Sequence, residues 1–288
     1  MAQIIDGKKI AAKVRGEIAA ECAELAKQGV QPGLAVIIVG DDPASKVYVR
    51  NKKKACEEVG FHSEVYELPE ATTEDELLAL VGRLNNDDKI HGILVQLPLP
   101  RHLNDDIIIA NIDPKKDVDA FHPVNVGKIM IGDYDFLPCT PAGVMVMLKE
   151  CGIDPAGKEC VVVGRSNIVG KPQAMLLLHA NGTVTVCHSK TKNLADVTRR
   201  ADILVVAIGK ADFITGDMVK DGAVVIDVGM NRRADGKLTG DVDFASVEPK
   251  ASFITPVPGG VGPMTITMLL QNTLTSAKRV RPAAKVKN

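Results

Sequence analysis

Short β-branched runs recur along this chain, each separated from the next by a longer stretch with helical spacing. Leu34–Val39, Gly92–Val95, Val161–Val163, Thr183–Cys187, Ile203–Ile208 and Val224–Val228 are the runs, and His62–Leu68 adds an alternating one. Strands this apolar must be covered on both faces. Strands that alternate with helices lie mostly parallel, because each crossover returns the chain to the same end of the sheet. Between them, Ile10, Val14 and Ile18 recur at helical spacing. Pro43–Val59 reads as helix with Gly60 as its stop, as do Glu74–Leu84 and Gln173–Leu178. The expected fold is α/β with mostly parallel sheets.

At 288 residues the chain is long enough for two domains. Periodicity weakens from Asp113 to Leu137, where Pro, Gly and Asp accumulate, so the crossover is expected there. Thr140 and Pro141 suit the N-cap and first position of the next helix. A last helix, Met264–Lys278, is expected to return to the first domain. This gives one domain of residues 1–120 plus 264–288 and a second of 121–263. The basic end, with Lys278, Arg279, Arg281, Lys285 and Lys287, reads as a solvated, frayed tail.

Composition narrows the function. The chain is 45% hydrophobic and 25% charged with net charge −1, which gives no general attraction to nucleic acid or membrane. No apolar stretch reaches about eighteen residues, and Met1–Lys9 lacks the apolar core of a signal peptide. The six cysteines form no C-x-x-C pair and have no histidine at zinc-finger spacing. Buried, reduced thiols in a cytoplasmic protein without a metal site are expected.

A nucleotide site is expected after Val163, where the strand turns through Gly-Arg-Ser-Asn-Ile-Val-Gly-Lys-Pro (164–172) into a helix. Backbone N–H groups and the positive helix end then converge where a phosphate fits. Ser166 stands where the usual second glycine would be, and the same glycines also suit tight strand–helix packing. The next strand ends His188-Ser-Lys-Thr-Lys192, with no carboxylate for ribose hydroxyls. Arg165, Ser189, Lys190 and Lys192 there fit a 2′-phosphate, favouring NADP over NAD. Asp227-Val-Gly-Met-Asn231 closes a later strand at the same ligand-facing end.

The first domain carries a second signal. In helix, Tyr48 and Lys52 share one face with Ser45. A phenol beside an amine can stack on a flat heterocycle and move a proton, provided burial or a neighbouring cation lowers the amine's pKa. Lys-rich helix faces are also commonly solvated, and tyrosines commonly pack half-buried. Gln96 closes a buried strand before Pro98 and Pro100. Asp117 and Asp119 lie at the crossover, where a carboxylate can hold an amino-pyrimidine edge or cap a turn.

Taken in order, these segments resemble the bifunctional methylenetetrahydrofolate dehydrogenase/methenyltetrahydrofolate cyclohydrolase family. They are Tyr48-x-x-x-Lys52, Val95-Gln-Leu-Pro-Leu99, Lys116-Asp-Val-Asp119, Pro138-Cys-Thr-Pro141, Gly164-Arg-Ser-x-x-Val-Gly170-x-Pro172, His188-Ser-x-Thr191 and Pro258-Gly-Gly-Val-Gly-Pro-Met-Thr265. The resemblance covers nearly the whole chain and departs where the family usually has Gly and this chain has Ala120. That methyl group is expected to narrow the pterin pocket slightly.

The resemblance implies a Rossmann-like NADP-binding second domain with the active site between the domains. It implies NADP-dependent oxidation of 5,10-methylenetetrahydrofolate and hydrolysis of the methenyl product to 10-formyltetrahydrofolate. These reactions belong to one-carbon metabolism and purine biosynthesis, carried out by a homodimer. Lys52 becomes the catalytic amine, Gln96 its hydrogen-bonding partner, Tyr48 a stacking group and Asp119 the pterin anchor. Gly164, Arg165, Ser166, Ser189 and Met230 line the nucleotide, with Arg165 and Ser189 on its 2′-phosphate. Leu97, Pro258, Gly259 and Gly260 join Tyr48, Lys52, Gln96 and Asp119 around the folate, and Lys53 or Lys54 meets its glutamate tail. The alternatives are a dehydrogenase without the hydrolytic step, a two-domain NADP oxidoreductase acting on a small acid, and a non-catalytic NADP- or folate-binding module.

Overall fold

The computed structural model describes residues 1–279. In chain order the elements are β1 (Gln3–Ile4), α1 (Gly7–Lys27), β2 (Gly33–Val39), α2 (Pro43–Glu58), β3 (His62–Leu68), α3 (Glu74–Asn85) and β4 (Gly92–Val95). Then come α4 (Asp105–Ala110), α5 (Pro123–Ile131), α6 (Cys139–Glu150), β5 (Glu159–Val163), α7 (Gly170–His179), β6 (Thr183–Cys187), α8 (Leu194–Thr198) and β7 (Ile203–Val206). A 3-10 turn (Gly216–Met218), β8 (Val224–Asp227), the short pair β9 (Asn231–Arg232) and β10 (Leu238–Thr239), α9 (Phe244–Val247), β11 (Phe253–Ile254) and α10 (Val261–Ala277) complete the order. Among the described residues, no helix is long and apolar enough to cross a membrane.

The chain forms two compact units. One comprises Lys13–Leu137 and the chain from Ile266 onward. Its sheet has the order β3-β2-β4, all parallel, with Val36 opposite both Val65 and Leu94. Every residue of the central β2 is buried, which is why its sequence is continuously apolar rather than alternating. α3 starts on a capping box, in which Thr73 Oγ1 accepts from Glu76 N (3.3 Å) and Glu76 accepts from Thr73 N (2.8 Å). Leu77, Val81 and Leu84 on its inner face join Ile37, Ile93 and Ile108 in one core.

The other unit comprises Met1–Ala12 and Pro138–Thr265. Its six-stranded sheet, in the order β1-β11-β8-β7-β5-β6, is parallel throughout. Neighbours in that order place β7 and β6 on opposite sides of β5, so the ends of β5 and β7 flank a topological switch point. The core beneath includes Val161, Val163, Leu204, Val206, Val225 and Ile254.

These units divide the chain at other positions than 120/121 and 263/264. The first twelve residues join the second unit because β1 pairs with β11, Gln3 opposite Phe253. Residues 121–137 stay with the first unit. There Asn125 donates to Pro114 O (2.9 Å), and Asn272 of α10 donates to both Val118 O and Leu137 O at 2.8 Å.

Two local expectations need correction. α6 begins at Cys139 with Pro138 as its N-cap, so Thr140 lies inside the helix, 2.9 Å from Thr265 Oγ1. Lys278 and Arg279 are not frayed. Lys278 pairs with Glu21, and Arg279 pairs with Asp135 while its guanidinium lies 5.3 Å from the centre of the Phe136 ring. Arg281, Lys285 and Lys287 lie outside the described residues.

Candidate active site

α2 is set by its first turn: Pro43 opens the helix, and Asp42 accepts a 2.7 Å hydrogen bond from Ser45 N. Its inner stripe then runs Ser45, Val49, Lys52, Ala55 and Cys56, all buried, with Tyr48 half-buried beside them. Lys52 is only 8% exposed, at a position where a helix usually carries an aliphatic side chain. Its Nζ donates to Gln96 Oε1 at 2.9 Å. Gln96 follows β4 and extends its ladder, donating from N to Ile37 O at 2.8 Å. Its Nε2 donates to Leu97 O at 2.7 Å, which turns the amide oxygen towards the amine. An acceptor without formal charge thus orients Lys52.

Burial raises the Tyr48 phenol above its ordinary pKa. The group stays protonated near neutral pH, so its hydroxyl can donate a hydrogen bond but does not act as a base. Burial also pushes the Cys56 thiol up to about 12, which removes it as a thiolate nucleophile. Lys53 and Lys54 are exposed, one and two positions from Lys52, and so on other faces of the helix. Lys53 borders a separate groove of about 490 Å3 with Pro43, Lys46, Val47 and Arg50.

The two aspartates divide their labour. Asp117 is 2% exposed, and its Oδ2 accepts from His122 N and Asn125 Nδ2, both at 2.8 Å. Burial raises its pKa, and the bonds pull the other way. It is committed to the turn. Asp119 is half-buried and lies just beyond Val118, whose carbonyl Asn272 holds. Ala120 is fully buried with φ +57°, a left-handed backbone. The methyl group therefore also has a backbone effect, because it sits on a left-handed conformation inside the fold. A glycine adopts that backbone without a β-carbon penalty.

The loop of residues 164–172 is built at the switch point. Gly164 has φ +135°, and a β-carbon there would collide with the carbonyl oxygen of Ala207. One on Gly170 would strike the carbonyl oxygen of Gly164. Both glycines are thus packing requirements, and meeting them brings the β5 and β7 loops together. Ser166 Oγ accepts from Val169 N (3.2 Å) and Gly170 N (3.3 Å), capping α7 where a second glycine would leave the amides open.

β5 and β6 are in register at Val163 and Cys187, so Arg165 and Ser189 each stand two residues past a paired position. Both are exposed. The β6 end is held as a turn, with His188 N donating to Thr191 Oγ1 (2.9 Å) and Lys190 N to His188 Nδ1 (3.1 Å). Arg165 and Ser189 thus follow adjacent parallel strands at the same end, and residues 188–192 include no carboxylate, so the residue types fit a 2′-phosphate. Met230, 43% exposed, follows β8 at the same end of the sheet. Pro258, Gly259 and Gly260 follow β11, also at that end, with Gly260 N donating to Pro256 O at 2.8 Å.

One structural feature has no signature in the sequence pattern. Asp241 is fully buried and accepts from Ile208 N (2.6 Å), Gly209 N (3.0 Å), Lys210 N (2.8 Å) and Asn231 Nδ2 (2.8 Å). Asp227 accepts in turn from Gly229 N, Asp241 N and Val242 N, each at 2.9 Å.

Known proteins match this arrangement end to end. Residues 5–119 match the family described as tetrahydrofolate dehydrogenase/cyclohydrolase, catalytic domain, and residues 138–281 its NAD(P)-binding domain. The bifunctional protein FolD of Acetivibrio thermocellus is 63% identical over 277 residues, covering 96% of this chain and 97% of its own length. The crystal structure of the bifunctional FolD of Campylobacter jejuni has a TM-score of 0.95 at 54% identity, over 96% of this chain and 99% of that one. The Trypanosoma brucei enzyme, complexed with NADP cofactor and inhibitor, has a TM-score of 0.93 at 43% identity, over 96% and 98%.

Proposed function

The chain belongs to the tetrahydrofolate dehydrogenase/cyclohydrolase family, and from that premise we propose that Tyr48, Lys52, Gln96 and Asp119 handle the folate while Gly164, Arg165, Ser166, Ser189 and Met230 hold the nucleotide. It is a bifunctional enzyme of one-carbon folate metabolism. It couples NADP-dependent oxidation of 5,10-methylenetetrahydrofolate to hydrolysis of 5,10-methenyltetrahydrofolate, giving 10-formyltetrahydrofolate.

Oxidation breaks a C–H bond of the bridge between N5 and N10, leaving a carbocation shared with both nitrogens. Gly164, Arg165, Ser166, Ser189 and Met230 would hold NADP+, which would supply the acceptor for the departing hydride. Hydrolysis then adds water to the bridge carbon and breaks its bond to N5; both protons leave the water oxygen as it becomes the formyl carbonyl, one passing to N5 and the other to solvent. Lys52 Nζ is assigned to that relay, receiving a proton from water and returning one to N5. Gln96 Oε1 keeps the amine aimed, Tyr48 stacks on the folate ring, and Asp119 accepts from the amino-pyrimidine edge of the pterin. Leu97, Pro258, Gly259 and Gly260 border the same substrate.

The observation that carries this reading is the 2.9 Å bond from a buried Lys52 to Gln96. The test is Lys52→Met, checked for folding by circular dichroism. Methenyltetrahydrofolate hydrolysis should fall by about 10²–10⁴-fold. Retained hydrolysis in a folded variant would overturn the assignment. NADPH formation from methylenetetrahydrofolate separates the enzyme from a binding module.

The same reading gives the folate to the unit of residues 13–137 and 266 onward, and NADP to the unit of 1–12 and 138–265. It includes cytoplasmic action as a homodimer without nucleic-acid partners, and supply of formyl groups to purine biosynthesis. Six free thiols support a reducing compartment, and a net charge of −1 supports indifference to polyanions. The edge position of β6, with Val186 40% exposed, supports pairing with a second copy. Sedimentation at micromolar concentration tests the dimer.

A further inference from the structure

Asp241 gathers three backbone amides, as many as Asp227, and an amide side chain besides. Its two oxygens accept from three consecutive amides, Ile208, Gly209 and Lys210, and from the Asn231 side chain. The three amides belong to the segment that leaves β7, whose first residue, Ala207, touches the position Gly164 keeps clear. Asn231 belongs to the segment that leaves β8 and carries Met230. One buried side chain thus fixes the segments that follow two neighbouring strands, at the end of the sheet where an open α/β fold takes its ligand.

Asp241 is itself fixed. Asp227, the last residue of β8, accepts from the backbone N–H of Asp241 and of Val242 at 2.9 Å. Gly240 leaves no room for a side chain, because a β-carbon there would overlap Asp227 Oδ2. A run of backbone N–H groups that converge on one buried carboxylate is held as a unit, since each amide that leaves gives up a charge-assisted bond and strips an acceptor oxygen of a donor. Preorganisation of this kind matters most when the held segments form a binding wall.

We infer that Asp241, clasped by Asp227 and tied through Asn231, is a positioning residue that shapes the NADP-binding wall formed by residues 207–210 and 228–231. The inference rests on the assignment of NADP to this unit. Asp241 acts through the backbone and the Asn231 side chain that it holds.

The test uses the two reactions against each other, because methenyltetrahydrofolate hydrolysis needs no nucleotide. In Asp241→Asn one acceptor oxygen becomes an amide donor facing backbone N–H groups. KM for NADP+ and the calorimetric Kd should rise about tenfold or more, the equivalent of losing one charge-assisted bond. kcat/KM for hydrolysis should stay within about twofold of wild type. Asn231→Ala removes only the tether to the β8 segment and stands in if Asp241→Asn fails to fold. It should raise the NADP+ Kd about threefold to tenfold with hydrolysis unchanged.

Parallel loss of both activities, or an unchanged Kd in a folded variant, would overturn the inference. A wild-type protein that binds NADP+ without oxidising methylenetetrahydrofolate would instead refute the proposed activity, and the Kd comparison would still decide the role of Asp241. Absence of NADP+ binding by the wild type would overturn both.

Discussion

At Ala120 the chain places a β-carbon on a left-handed backbone with no room to relax, since the residue is fully buried. Ala120→Gly should stabilise the protein by about 0.5–1 kcal/mol, read as a higher urea midpoint at unchanged m-value. KM for methylenetetrahydrofolate should not move, and a lower KM would support the pocket-narrowing account. Arg165 is the opposite case, an exposed side chain whose effect appears only with ligand present. Arg165→Ala should weaken NADP+ binding by about 10–100-fold through loss of charge-assisted bonds to the 2′-phosphate. NAD+ lacks that phosphate and should be nearly unaffected. Equal losses for the two nucleotides would remove Arg165 from the phosphate site.

At the scale of elements, β2 and β4 are locked by one histidine. Gly33 N donates to His91 Nδ1 at 3.0 Å while His91 N donates to Gly33 O at 2.8 Å. Burial, assisted by Lys116, holds the imidazole below its ordinary pKa. The folded state therefore binds fewer protons than the unfolded chain below about pH 6.5, and stability falls as acid charges the ring. His91→Phe orphans the Gly33 amide and should cost about 1–3 kcal/mol at pH 7. The variant has no imidazole to protonate, so its urea midpoint should decline less than that of wild type between pH 7 and 5. Parallel declines would show that His91 does not contribute to acid sensitivity.

How visible each element was in the sequence follows from where its partners lie. β2 and β4 announce themselves because both faces are buried and the whole run is apolar, and β5 and β8 do so apart from Glu159 and Asp227 at their ends. α5 does not, since it buries only Asn125 and Ile129 and leaves Val124, Val126, Met130 and Ile131 exposed, which erases the helical period. Tyr48 and Lys52 are visible as a pair four residues apart. Gln96 bonds Lys52 from 44 residues away across a parallel sheet, a distance no local pattern encodes. Asp241 was invisible for a deeper reason. Three of its partners are backbone amides 31–33 residues distant, and an amide has no identity in a sequence.

For the whole molecule, nucleotide binding and folding draw on the same free energy. NADP+ at about one hundred times its Kd should add about 2.7 kcal/mol to the unfolding free energy, raising the melting midpoint, and NAD+ at equal concentration should add less. A midpoint indifferent to NADP+ would mean that this unit does not hold it. The order in which the chain is made sets a further condition. β1 is translated among the first residues, but its partner Phe253–Ile254 comes near the end. Val118 O waits for Asn272, 154 residues later. At ribosomal speeds of about 5–20 residues per second, that interval is roughly 8–30 s. The six-stranded sheet spends most of it without β11 and the other unit spends all of it without α10, so neither unit can mature as an independent early domain. A nascent chain that stalls before α10 therefore presents two unfinished cores, which makes the last turns of the message a checkpoint for both halves of the enzyme.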